Sequence, residues 1–172
     1  EEMETDIVEM QTMIDSLLAY LAGEGNGEPR QAVDLAVICA TLADAARDQG
    51  HDVTYVGPGH CERMLYPIAM KRALSNLVEN GLHYGDRVRL TLHDQAGNTV
   101  IRVEDDGPGI PVESIEQALQ PFVRLDTARA RDTVGFGLGL SIVSRAVEAE
   151  GGTLRLSNRD EGGLCAEIRL PA

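Results

Sequence analysis

A chain of 172 residues with 43% hydrophobic side chains is long and apolar enough for one well-cored domain plus a short appendage, and too short for two full domains. Its net charge of −13, with the 15 lysines and arginines scattered rather than clustered, argues against nucleic acid as a partner. Cys39, Cys61 and Cys165 are far apart with no CxxC pair, which argues against a disulfide framework or a structural zinc site and fits a reducing compartment.

Positions 1–22 carry Met3, Ile7, Met10, Ile14, Leu17 and Leu21 at alternating spacings of four and three, with polar residues between. That is a heptad seam, and so narrow a stripe predicts pairing with a helix of another subunit rather than burial on its own domain. Glu1 stands inside this helical pattern with no initiating methionine, so a fragment of a longer protein is expected. Residues 23–32 open with GEGNGEP and read as a linker. A domain over 33–172 follows. Its predicted elements are a helix at Leu35–Gln49, a strand at Asp52–Val56, a turn at Gly57–Gly59 and a proline-led helix at Pro67–Tyr84. Next come strands at Val88–His93 and Thr99–Glu104, a glycine-rich loop at Asp105–Ile110 and a short helix at Val112–Leu119. A polar loop spans Pro121–Val134, a helix Leu138–Glu150, and a closing hairpin Thr153–Asn158 with Leu164–Leu170. Hairpin-linked strands interleaved with helices predict a mixed sheet covered by helices on one face. No segment approaches the roughly 20 apolar residues of a membrane span, so no membrane contact by this portion is expected.

Four groups of residues carry chemistry. On the helix Pro67–Tyr84, Met70, Leu74, Leu77 and Val78 mark the core side, whereas Asn76 and Asn80, at i and i+4, project together from another. A carboxamide oxygen is a hard neutral ligand suited to Mg²⁺, which keeps several waters and bridges phosphates; alone, the pair equally fits two surface asparagines. After the strand Thr99–Glu104 comes Asp105-Asp106-Gly107-Pro108-Gly109-Ile110. A carboxylate at a strand end can accept a hydrogen bond from the exocyclic amine of adenine, where guanine presents an oxygen, though an acidic turn is also common. Gly135-Phe136-Gly137-Leu138-Gly139-Leu140 runs into a helix whose first N–H groups attract phosphate, yet it has neither Walker nor dinucleotide spacing, and a flexible hinge fits it too. Between them lie Pro121-Phe122 and Arg124, Arg129 and Arg131, arginines able to close over phosphates or simply to solvate a loop.

Taken in order, Asn76…Asn80, Asp105-x-Gly107-x-Gly109, Pro121-Phe122 and Gly135-x-Gly137-Leu138-Gly139-Leu140 resemble the N, G1, F and G2 boxes of sensor histidine kinases, most closely the osmosensing members, over essentially the whole chain. The resemblance implies a Bergerat-type two-layer α/β sandwich preceded by one long helix of a dimerisation bundle. It also implies Mg²⁺-ATP as cofactor, with Asn80 on the metal and Asn76 supporting the phosphates. Asp105 would bind the adenine amine, with Gly107, Gly109 and Ile110 shaping the loop beside the base and Tyr84 lying against adenine. Gly135, Phe136, Gly137, Leu138, Gly139 and Leu140 would form the lid hinge and phosphate pocket, and Arg124, Arg129 and Arg131 would stabilise the transferring group. His83 stands where many relatives carry lysine or arginine, and Phe136 where threonine is frequent.

The same resemblance implies transfer of the γ-phosphate to a histidine of a dimerisation and phosphoacceptor domain, then to a response regulator. It implies a homodimer in the full-length protein and a place in the cytoplasmic portion of a bacterial inner-membrane sensor. None of His51, His60, His83 and His93 lies in an acceptor-like context, so positions 1–22 are expected to be the second helix of a hairpin whose first helix is absent. ATPases of the same fold place a glutamate four residues before the metal-binding asparagine as general base. Here that residue is Asn76, which takes no proton from water at neutral pH, so kinase is favoured over ATPase. A transfer-inactive nucleotide-binding scaffold and a serine kinase of anti-sigma type stand as alternatives.

Overall fold

The computed structural model describes residues 27–95, 97–125 and 137–172, together with positions 7, 10, 11, 14, 15, 17, 18, 20 and 21. The described positions between 7 and 21 are helical (α1). Strand β1 (Gln31–Asp34) leads directly into α2 (Leu35–Asp48); β2 (Asp52–Val56), β3 (Glu62–Leu65) and α3 (Pro67–Tyr84) follow. Then come β4 (Arg87–Gln95), β5 (Asn98–Asp105), a 3₁₀ turn (Val112–Ser114) with the one-turn α4 (Ile115–Ala118), α5 (Gly139–Ala149), β6 (Thr153–Asn158) and β7 (Leu164–Leu170).

The main sheet has five strands in the order β2-β4-β5-β7-β6, with β2 parallel to β4 and the other pairs antiparallel. Alternation fixes its two faces. Val88, Leu90, Leu92, Ile101, Val103 and Ile168 are buried towards α2, α3 and α5. The opposite face carries charge: Glu167 stands between Arg102 and Arg169 at 2.7 and 2.6 Å. Burial raises the Glu167 carboxyl, but the hydrogen bonds from Arg169 and Arg102 together outweigh it and hold the group below its ordinary value. The expected mixed sheet with helices on one face is therefore what the chain forms.

Two short strands, β1 and β3, are absent from the sequence reading; they pair with each other in a separate antiparallel ribbon, Gln31↔Leu65 to Asp34↔Glu62. Gln31 and Ala32, expected in the linker, thus belong to a strand. Four-residue strands with mixed polarity give no usable period, and only their mutual pairing defines them. The expected helix over Val112–Leu119 is shorter, a 3₁₀ turn and four α-helical residues.

The starts of α2 and α3 are set by carboxylates. Asp34 Oδ1 caps α2 by accepting from the N–H groups of Ala36 and Val37 at 3.0 and 3.4 Å, and it also accepts from Cys61 N. α3 begins at Pro67 with no side-chain cap of its own. Glu28 supplies one from outside, accepting from Ile68 N and Ala69 N at 2.6 and 3.3 Å. Two residues on, Arg30 donates to Glu150 at 2.8 Å, and the other Glu150 oxygen accepts from Tyr66 N at 2.6 Å. The Glu150 side chain is 1% exposed. Removing it leaves the Tyr66 N–H and one guanidinium N–H without their partner. Glu150→Ala is therefore expected to lower the unfolding free energy by about 2 kcal/mol in urea denaturation, and Arg30→Ala, truncating a half-exposed side chain, by about half that. Equal, near-zero effects would mean water replaces this cluster without cost.

Among the described residues most of the α1 seam stands exposed. Ile7, Met10, Ile14 and Leu21 are 51–73% exposed, with Leu17 half-buried; Met3 lies outside the described residues. Among the described residues it meets the domain near its end, where Arg145 of α5 donates to the Tyr20 carbonyl at 2.7 Å and lies 4.8 Å over the Tyr20 ring. The Phe122 ring meets Tyr20 edge-on at 6.1 Å.

Candidate functional site

Asp105 is the last residue of β5 and is 5% exposed. Its Oδ1 accepts from Gly107 N at 2.9 Å and from Leu164 N, across the sheet on β7, at 3.2 Å. Among the described residues no group donates to Oδ2, which leaves one lone-pair face for a ligand. Burial pushes the carboxyl above its ordinary value, and the backbone donors at Gly107 and Leu164 limit that rise. The neighbouring Asp106 turns the other way and ties the loop to the start of β4, accepting from Asp86 N and Arg87 N at 2.8 and 2.9 Å.

α3 reaches the same place. Gly81 sits against Val88 and Asp105: a Cβ there would lie 2.8 Å from Val88 Cγ2 and 3.5 Å from Asp105 Cβ. A Cβ on Gly107 would fall 2.8 Å from the Tyr84 carbonyl oxygen, so the end of α3 and the loop touch backbone to backbone, and glycine is what permits it. Tyr84 and His83 are half-buried and meet edge to face at 4.6 Å. Asn76 and Asn80 are half-buried one turn apart, and among the described residues neither carboxamide is held by a hydrogen bond. Glu79 is turned to the exposed side, with Ser75 Oγ donating to it at 3.4 Å, away from the asparagine face.

The third wall is the start of α5. Gly139 begins the helix, no side chain caps it, and a Cβ at Gly139 would meet nothing within 4 Å. Among the described residues, then, no side chain caps its first N–H groups, an arrangement suited to phosphate. Leu138 is buried and accepts from Ser141 Oγ at 2.8 Å, and the half-buried Leu140 packs on the core. Gly137, at φ +71°, lies against the Phe122–Val123 backbone, and its carbonyl accepts from Phe122 N at 3.0 Å. Phe122 itself adopts φ +64°, uncommon for a side-chain-bearing residue. The Pro121-Phe122 and Gly137-Leu138 segments are thus drawn together. Arg124 is half-buried beside them. Arg129, Arg131, Gly135 and Phe136 lie outside the described residues.

Asp105, Gly107, Gly109 and Ile110, the end of α3 and the turn before β7 thus meet at one rim. What sequence reasoning missed is the part played by that turn. Arg159 Nη1 donates to the Asp105 carbonyl at 2.7 Å, and Asn158 pairs with the Ile110 backbone at 2.8 and 2.6 Å. The Gly162-Gly163 pair was legible only as a hairpin turn, whereas a Cβ on Gly163 would fall 1.9 Å from the Asp105 carbonyl oxygen.

A two-layer sandwich with a buried carboxylate at a strand end, two half-buried asparagines on the neighbouring helix and a helix start with no side-chain cap among the described residues marks a nucleotide-binding domain of the Bergerat class. The chain belongs to the histidine kinase-, DNA gyrase B- and HSP90-like ATPase family, whose profile matches residues 66–172. This is the family of the catalytic domain of sensor histidine kinases. The chain is 35% identical over 171 residues to the sensor histidine kinase GtrS of Pseudomonas aeruginosa, covering 99% of this chain and 35% of that protein. It is 34% identical to the sensor protein RstB of Escherichia coli, covering 99% of this chain and 41% of that one. Among solved structures, the histidine kinase domain of the E. coli osmosensor EnvZ superposes with a TM-score of 0.65 at 34% identity, over 84% of this chain and 89% of that one. The chain therefore spans about two fifths or less of the curated relatives it matches.

Proposed function

We propose that this chain is the catalytic portion of a sensor histidine kinase, binding Mg²⁺-ATP and passing the γ-phosphate to a histidine on a dimerisation helix that lies outside it. On this reading residues 1–22 are the second helix of the dimerisation hairpin, and the linker expected over 23–32 ends where β1 begins at Gln31, with the catalytic domain running from there to 172. The full-length protein would be a homodimer in the bacterial inner membrane with this portion in the cytoplasm, and its phosphoryl group would pass on to an aspartate of a response regulator. The observation that carries the reading is Asp105: a buried carboxylate with one oxygen fixed by two backbone donors and the other without a described donor.

Each residue has a chemical task. Asp105 Oδ2 accepts from the adenine amine, with Tyr84 against the ring. Asn76 steadies the phosphates, and the carboxamide of Asn80, in no hydrogen bond among the described residues, is a fitting oxygen donor for a metal that takes most of its other ligands from water and phosphate. Bound there, Mg²⁺ would neutralise charge on the β- and γ-phosphates. The N-terminal amides of α5, with Gly137 to Leu140, take up the remaining phosphate charge, and Arg124, Arg129 and Arg131 supply cations from the lid. In the transfer, the bond from the γ-phosphorus to its bridging oxygen breaks, ADP leaves, and a P–N bond forms to the acceptor imidazole. Asn76 in place of a general base protects ATP from water until that imidazole arrives.

Titrating this chain with ATP and with GTP, each with and without Mg²⁺, tests the reading. Magnesium-dependent binding that prefers ATP is the expected result, and absence of ATP binding under all conditions would defeat it.

A further inference from the structure

We infer that Asn158 is a positioning residue for base recognition: its side chain locks the Asp105–Ile110 loop to the β6–β7 hairpin in the shape that reads adenine. This rests on the proposed ATP site and deepens it. Asn158 ends the edge strand β6, where the ladder has no further neighbour. Its carboxamide bonds a loop backbone. Oδ1 accepts from Ile110 N at 2.8 Å and Nδ2 donates to Ile110 O at 2.6 Å, a two-way bond of the kind one strand makes with the next. The loop is fixed a second time at its root, where Leu164 N reaches Asp105 Oδ1 at 3.2 Å and Arg159 Nη1 reaches the Asp105 carbonyl at 2.7 Å.

Gly109 records the same constraint. It has φ +72°, and a Cβ there would fall 2.4 Å from Asn158 Oδ1. The space beside Gly109 is therefore taken by the Asn158 amide, and the glycine serves the clamp as well as the turn. Without the clamp the Asp105–Gly107 end of the loop stays fixed, and the Pro108–Ile110 arm must be ordered each time a base binds. That cost falls on contacts to the base and leaves contacts to the phosphates unchanged.

The test uses the whole chain as wild type, Asn158→Ala and Asn158→Asp. Calorimetric titration with Mg²⁺-ATP and Mg²⁺-GTP is read beside thermal unfolding and amide hydrogen exchange. Asn158 is exposed, so both variants should unfold near the wild-type temperature. Asn158→Ala is expected to weaken ATP about tenfold, the worth of roughly one net hydrogen bond, and to leave GTP little changed, so the ATP preference falls by the same factor. Exchange at the Ile110 amide should rise while that at Leu164 stays slow. Asn158→Asp sets a carboxylate oxygen against the Ile110 carbonyl and should be at least as severe. Wild-type ATP binding with unchanged affinity and preference in both variants would overturn the inference and leave the ATP site standing. An equal loss for ATP and GTP would overturn it too, since that is a general weakening and not a base-reading effect. Failure of the wild type to bind ATP would defeat the ATP site itself, and the inference with it.

Discussion

Asp105→Asn is expected to weaken ATP binding about 100-fold without lowering the stability of the fold, because the charged hydrogen bond proposed to the base would be replaced by two opposed donors. The substituted side chain keeps a carbonyl oxygen, and the structure already uses one oxygen, Oδ1, for both backbone donors, Gly107 N and Leu164 N. What changes is the second position, where the accepting Oδ2 becomes an NH₂ facing the adenine amine. Guanine presents an oxygen at that point, so the variant should lose its preference for ATP and move towards GTP. Calorimetry with both nucleotides reads the two effects together. Undiminished ATP affinity, or a loss shared equally with GTP, would mean that Asp105 does not read the base.

Stability should move the opposite way. Burial raises the Asp105 carboxyl in the folded chain, so the native state holds this proton more tightly than the unfolded chain does. Its contribution is fully present below the ordinary carboxylate range. It declines as pH rises from there through the elevated folded value, where the unfolded chain has already released the proton. Asparagine carries no such proton. The variant should match the wild type at low pH and equal or exceed it once the pH is above that window, in urea denaturation across a pH series. A variant less stable than wild type at neutral pH would show that the carboxylate charge is needed by the loop and not only by the ligand.

The sequence made the sheet legible because alternation in β4, β5 and β7 is clean: Val88, Leu90 and Leu92 are buried, and Arg87, Arg89 and His93 are exposed. α3 was legible from Pro67 and from the spacing of Met70, Leu74, Leu77 and Val78. The ribbon of β1 and β3 was not, since each strand exists through a partner some thirty positions away and buries little. Within the proposed site, Asp105 and the asparagines stand out in the sequence by residue type and spacing. Asn158 and Arg159 did not. They act through backbone atoms of Asp105 and Ile110, and a side chain that binds another segment's main chain leaves no motif in its own neighbourhood. The capping of α3 by Glu28 was hidden for the same reason, 40 positions separating donor from acceptor. Local patterns report what a segment does to itself; long-range backbone contacts become visible only when the chain is folded.

Asn80→Ala, made in the full-length kinase, is expected to cut phosphoryl transfer by about 1,000-fold and to abolish the Mg²⁺ dependence of ATP binding. The fold has little to lose from it. Asn80 is half-buried, its carboxamide takes part in no hydrogen bond among the described residues, and alanine is the better helix former at an interior position. A stable variant that still binds ATP weakly, with the same affinity in Mg²⁺ and in EDTA, would isolate the metal's share of binding. Asn80→Asp should separate charge from geometry: the carboxylate takes the cation more tightly but adds repulsion against the phosphates, so transfer should recover only in part. Asn76 completes the argument. If Asn80 anchors the metal, then Asn76, one turn earlier on the same face, stands where an ATPase of this fold carries its base. Asn76→Glu should therefore raise ATP hydrolysis in the absence of an acceptor, measurable as released phosphate. Full transfer activity in Asn80→Ala would remove the metal from that side chain, and with it the reason to expect a new base at 76 to activate water.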